Sequence, residues 1–394
     1  MKTIGKIFIC LSIGSLGLSA FNLPQSIDNY ANISSPKTKS VKRIEFKNYK
    51  FGDVIKSKEI LYLPFALKDA NATFTADFGR NDNVLFLGEN YPELVKNYKI
   101  RKEKLLIYNL FKNYQLFAEN SYISVNGLKY ISNKWLAVIS RDGSFYNLRF
   151  VNIQNLYKPE FKNIVKIRKV ECALSDDGVG YFFTYNVINV FKDNKLYYKK
   201  TLKGYSVSKC EVKISRNKKY FYVLTPQKFY VIDKKYPNHE KVTGSLPLGV
   251  ALSMLVDENR KRVYISAKDM FYNVDISDPS EPDISYGLEF KDKRLKGTDL
   301  LSLSKNGKYF YALDKNKKIL YKVSIEKRKI IQTKKLFDKK IKKGINSYSE
   351  GEIVYFKVFN KKPEVLFIIK RDVKSLSLKG KNGKVYEIDE VMLP

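Results

Sequence analysis

Few residues in this 394-residue chain are equipped for chemistry: it has three cysteines and one histidine. His239 stands between Asn238 and Glu240 in a stretch that reads as a turn, so a His-based metal site or a His general base lacks the residues it needs. Glu171 and Glu211 are more suggestive, each standing four residues before a serine, Ser175 and Ser215. Two carboxylates on neighbouring strands could hold a cation or a basic ligand group, or raise one another's pKa. The same positions also suit Lys-paired or solvated acids, given the lysines around them. Cys172 and Cys210 lie three and five residues before the same serines, on one side of a strand by parity. Neighbouring strands could present them to each other as a disulfide, the other reading being two small buried apolar side chains. No G-x-x-x-x-G-K-[ST], G-x-G-x-x-G, H-E-x-x-H or G-x-S-x-G motif occurs. The expectation is a chain that is not an enzyme, with no catalytic residue, cofactor or metal to assign.

The N-terminus bears on the cysteines. Lys2 and Lys6 precede fourteen uncharged residues, Ile7 to Ala20 (IFICLSIGSLGLSA). A membrane span needs about 20 apolar residues, so residues 1–20 read as a secretory signal peptide, a retained anchoring segment being the other reading. Cleavage would remove Cys10 and leave Cys172 and Cys210 as an even pair in an oxidising compartment. The expected location is periplasmic, cell-surface or secreted, and the mature protein is not expected to be integral to a membrane.

What must position these residues is a repeat. A short apolar run, a Ser or Asp, a polar turn and an aromatic-rich strand recur, most clearly in LSLSKNGKYFYAL around Ser304. The turn positions fall at Asn81, Ser132, Ser175, Ser215, Asp257, Ser304 and Ser349, spaced by 51, 43, 40, 42, 47 and 45 residues. Four short strands with their turns use about 40–50 residues, the repeat length of a propeller blade. VNIQNLYKP (Val151 to Pro159) and VDISDPSEP (Val274 to Pro282) align without a gap further along two of the repeats. Tyr, Phe, Val and Ile alternate at period two, and helical periodicity is almost absent. The expected fold is therefore all-β: a seven-bladed β-propeller of four-stranded blades over residues 55–372, six or eight blades being the other counts because the first gap of 51 leaves room for an insertion. An extended lead-in (21–54) precedes it, and a C-terminal hairpin or ring-closing tail (373–394) follows. Ile60 to Leu67 (ILYLPFAL) is expected to add a strand to the last blade.

These repeats resemble the LVIVD-repeat and YVTN-type β-propeller families, best in GVALSMLVDENRKRVYISAKDMFYNVDISDPSEP from Gly249 to Pro282. The resemblance implies an exported seven-bladed propeller and no common activity. The acid with His or Arg that lactonase relatives would use has no counterpart here. SRDGSF (Ser140 to Phe145) and SDDGVGY (Ser175 to Tyr181) partly resemble the Asp-box turn of sialidase-type propellers, which is structural.

The charge is large: 73 Lys and Arg against 40 Asp and Glu, a net +33. Lys334, Lys335, Lys339, Lys340, Lys342 and Lys343 form the densest run. Lysine is a solvated point charge, suited to long-range attraction to polyanions rather than to base reading. No nucleic-acid motif accompanies it, so nucleic acid is not an expected partner. The favoured function is an exported, non-catalytic protein-binding or assembly module whose partner is another envelope or extracellular protein. The alternatives are a Lys-rich adhesin to anionic polymer or lipid head groups and, less favoured, an enzyme at the channel mouth.

Overall fold

The structure is a computed structural model describing residues 54–63, 73–79, 83–95, 98–109, 114–121, 124–142, 145–336, 352–359, 364–372 and 384–393. Residues 1–20, expected to be a signal peptide, and nearly all of the expected lead-in lie outside the described residues, which belong to one compact unit.

Apart from a single 3-10 turn at Lys293–Leu295, the regular structure among them is strand. Six antiparallel sheets take four consecutive strands each, over residues 73–121, 124–167, 172–201, 211–247, 251–284 and 299–335. A further sheet joins distant parts of the chain. Glu352–Phe359, Glu364–Asp372 and Lys384–Leu393 pair in order, and Val54–Leu63 adds the fourth strand beside Lys384–Leu393. The ring-closing strand thus begins and ends earlier than ILYLPFAL suggested, and the boundary drawn at residue 372 falls within this sheet. The first strand of each sheet lies beside the first strand of the next, and Thr73–Gly79 neighbours Glu352–Phe359.

Burial explains why the middle strands read as unbroken apolar runs. In Tyr220–Leu224, Phe221 and Val223 pack with Tyr181, Phe183, Ile188 and Val190 of the preceding sheet. Tyr222 and Leu224 point the other way, into a core with Val263, Ile265 and Val274 of the following one. Period-two alternation therefore feeds two cores, and both faces are dry. Phe78 closes the cycle, its ring 5.0 Å from that of Phe359. Outer strands such as Lys195–Thr201 and Lys329–Lys335 are mostly exposed and correspondingly polar.

The repeat is legible down to single hydrogen bonds. In both S-x-N-[K/G]-K-Y turns the serine Oγ donates to the asparagine Oδ1 (Ser215 to Asn217, Ser304 to Asn306, each 2.7 Å). The serine Oγ in turn accepts from the tyrosine amide (Tyr220 2.9 Å, Tyr309 3.1 Å). A left-handed residue sits three places after the serine, Gly307 in one copy and Lys218 in the other. The two aligned nonapeptides share their turns as well: Asn152 accepts from the Gln154 amide as Asp275 does from that of Ser277. Two expectations need correction. The strand after Ser349, Glu352–Phe359, is the first of its sheet and not the second, so the turn equivalent to Ser304 lies beyond residue 359. Asp177 and Gly178 of SDDGVGY, both at positive φ, form a two-residue hairpin loop and not an Asp box.

Candidate functional site

Antiparallel pairing gives each sheet two distinct ends. The end where the first strand starts also carries the second-to-third turns and the connections between sheets; the other two turns lie opposite. The sequence-derived residues gather at the starting end. Cys172 opens Cys172–Asp176, Cys210 directly precedes Glu211–Ile214, and the two are disulfide-bonded with Cα atoms 5.3 Å apart. The bridge ties the innermost strands of adjacent sheets, which share no ladder of their own.

Glu171 and Glu211 flank that bridge. Lys169 Nζ is 2.9 Å from Glu171 Oε2, and Lys213 Nζ is 3.0 Å from Glu211 Oε1. Glu211 Oε2 accepts from the Met254 amide of the next innermost strand at 2.9 Å. At the equivalent place one sheet further on, Ser253 Oγ accepts from the Leu300 amide at 3.0 Å. These positions staple one inner strand to the next, satisfying amides that a strand edge would leave open. Asp299 joins the group as the first residue of Asp299–Leu303. Burial pushes its carboxyl above the ordinary value; Lys315, with Nζ 3.1 Å from Oδ2, opposes this and the Glu211 charge adds to it. Counting back from Ser304 missed Asp299 because the register shifts between Leu300 and Leu303.

Three apolar side chains stand in water at the same end, at one corner of the 251–284 sheet: Val250 (48% exposed), Leu252 (49%) and Met270 (52%). Sequence reasoning did not single out Leu252. In the structure Ala251 pairs with Ala267 and Ser253 with Ser266, leaving Leu252 in a bulge with no partner across the ladder. The doubled apolar residues of VALSML are the only hint of it in the chain.

Of the basic run, Lys334 and Lys335 close the outer strand Lys329–Lys335 at this end. Lys339, Lys340, Lys342 and Lys343 lie outside the described residues. At the opposite end Lys218 bridges Asp176 (3.1 Å) and Asp177, while Lys234 Nζ sits 5.1 Å from the centre of the Tyr181 ring. Burial pushes the Tyr181 hydroxyl up to about 12. Nearby, Glu240 accepts from the Tyr198 hydroxyl. His239 is exposed. Among the described residues no group of His, Cys, Asp and Glu is placed to hold a metal, and no helix is long and apolar enough to cross a membrane.

No family model matches this sequence, and no curated protein matches it. Solved structures resemble it at 10–13% identity. The β-propeller domain of Cps50 (Swd1) from Myceliophteria thermophila aligns at TM-score 0.49 and 10% identity, over 83% of this chain and 99% of its own. Kluyveromyces lactis Hsv2 aligns at 0.47 and 13%, over 79% and 99%. Hydrazine synthase from Kuenenia stuttgartiensis aligns at 0.47 and 12%, over 66% and 79%.

Proposed function

We propose that this chain is an exported, closed seven-bladed β-propeller that serves as a docking module for another protein of the envelope or extracellular space. The observation that carries the reading is the cluster of exposed apolar side chains on a rigidly stapled end of the ring. Apolar residues gathered at one corner, rimmed by charge, are the ordinary mark of an interaction surface. A ring of sheets suits the role because turns from several sheets project from one inflexible frame. The Cys172–Cys210 bridge supports an oxidising compartment, in keeping with the N-terminal segment acting as an export signal. Catalysis, a cofactor and nucleic acid have no part in this reading.

The lysine surplus favours one second reading, adhesion to an anionic polymer or lipid through charge alone. Salt separates the two. Attachment by lysines weakens steeply between low and moderate ionic strength, whereas an apolar interface persists. The test is chemical cross-linking in intact cells followed by isolation of the chain. The docking reading expects a defined protein adduct that survives moderate salt. Release of the chain from the envelope by salt, without any protein adduct, would overturn it.

A further inference from the structure

We infer that the corner formed by Val250, Leu252 and Met270 receives an acidic protein segment bearing a bulky apolar side chain. The inference rests on the docking reading and names where the partner sits and what it must look like.

The bulge is the first argument. Ala251 and Ser253, on either side of Leu252, are both buried. The extra residue leaves Ser253 and Met254 free to make the staples to Leu300 and Glu211 while turning Leu252 out to solvent. Register shifts recur in the first strands of other sheets, between Val125 and Gly127 and between Leu300 and Leu303, so the bulge belongs to the fold; what is particular to this corner is that the residue turned out is a leucine, where the 124–167 sheet exposes Asn126. Val250 and Met270 are fixed beside it by backbone bonds. The Lys268 amide donates to the Val250 carbonyl at 2.8 Å, and the Ala267 amide donates to that of Met270 at 2.9 Å. The three side chains thus project from one preorganised corner.

Charge supplies the second argument. Lys228, Lys268 and Lys296 are exposed on segments bonded to this corner, and none forms an ion pair with a described carboxylate. Two of the nearby acids are already engaged: Glu211 with Lys213 and the Met254 amide, Asp299 with Lys315. Asp269 is the exposed acid of the corner. An apolar spot inside a lysine rim is complementary to an acidic segment with one large apolar residue. A bilayer is the weaker match because the turns of the two flanking sheets are polar, Tyr185 of the 172–201 sheet being an exposed apolar side chain further round at this end. The corresponding turn of the 211–247 sheet is Thr225-Pro226-Gln227, and that of the 299–335 sheet is Lys315-Asn316-Lys317-Lys318. A flat membrane would meet those turns as well.

The test is to pan a phage-displayed random dodecapeptide library against the full chain in moderate salt, then titrate synthetic copies of the selected peptides. Selected sequences should combine Asp or Glu with Leu, Phe or Trp. Leu252→Ser and Met270→Ser should each weaken binding at least tenfold without lowering the melting temperature, and Lys268→Glu should do the same. Tyr236→Ser, at the opposite end, should change nothing. The inference is overturned if no such peptides are enriched, or if they bind the Leu252→Ser and Met270→Ser chains equally well. It is also overturned if those substitutions abolish binding to phosphatidylglycerol vesicles while no peptide is selected. A photo-cross-linker at position 270 or 261 separates this inference from the docking reading. A protein adduct from 270 supports both, an adduct only from 261 sinks the corner and leaves docking standing, and adducts from neither sink both.

Discussion

Gly244 shows how closely adjacent sheets approach. A Cβ there would lie 2.4 Å from the Pro279 carbonyl oxygen and 2.9 Å from that of Ser280, both backbone atoms of the next sheet's turn. Gly244→Ala should therefore destabilise the protein by about 1–3 kcal/mol in denaturant titrations, whereas Gly204→Ala meets nothing and acts only through its positive φ. Asp299 makes a prediction of a different kind. Its folded value lies above the ordinary 3.8, so the folded state holds the proton more tightly than the unfolded chain does. Stability then falls as pH rises from 3.8 through the folded value. Asp299→Asn removes that loss, so its advantage over the parent chain should be larger at pH 7 than at pH 3; equal differences at the two pH values would refute the assignment. At this scale the chain was readable where side chains make local turns, as at Ser215 and Ser304. It was unreadable at Leu252 and Asp299, because a bulge shifts register through long-range pairing that spacing does not encode.

Among the elements, the second and third strands of each sheet were legible as strands because burial on both faces selects continuous Tyr, Phe, Val and Ile. The closing strand was legible in kind and not in extent: Val54–Leu63 includes VIKSKE, whose polar residues match an outer strand better than the apolar ILYLPFAL that drew attention. The Cys172–Cys210 bridge is the element-scale feature with the clearest energetic consequence. It closes a loop across a sequence separation of 38 residues, for which restriction of the unfolded chain corresponds to about 4 kcal/mol. Replacing both cysteines by alanine should lower stability by about 2–4 kcal/mol. Dithiothreitol should lower the melting temperature of the parent chain and leave the double variant unchanged.

For the whole molecule, 73 basic against 40 acidic residues set long-range attraction and solubility, while the stapled ring sets shape. The ring is the premise of everything else, because the corner at Leu252 is preorganised only if the sheets cannot splay. That premise depends on one seam, where Val54–Leu63 meets Lys384–Leu393 with Lys56 opposite Asp389. The direct measurement is to introduce Lys56→Cys and Asp389→Cys together, oxidise the chain, and follow cross-linking and thermal stability. Closure predicts quantitative formation of a 56–389 disulfide and a higher melting temperature. Two thiols that stay free under oxidation in a folded chain would contradict it.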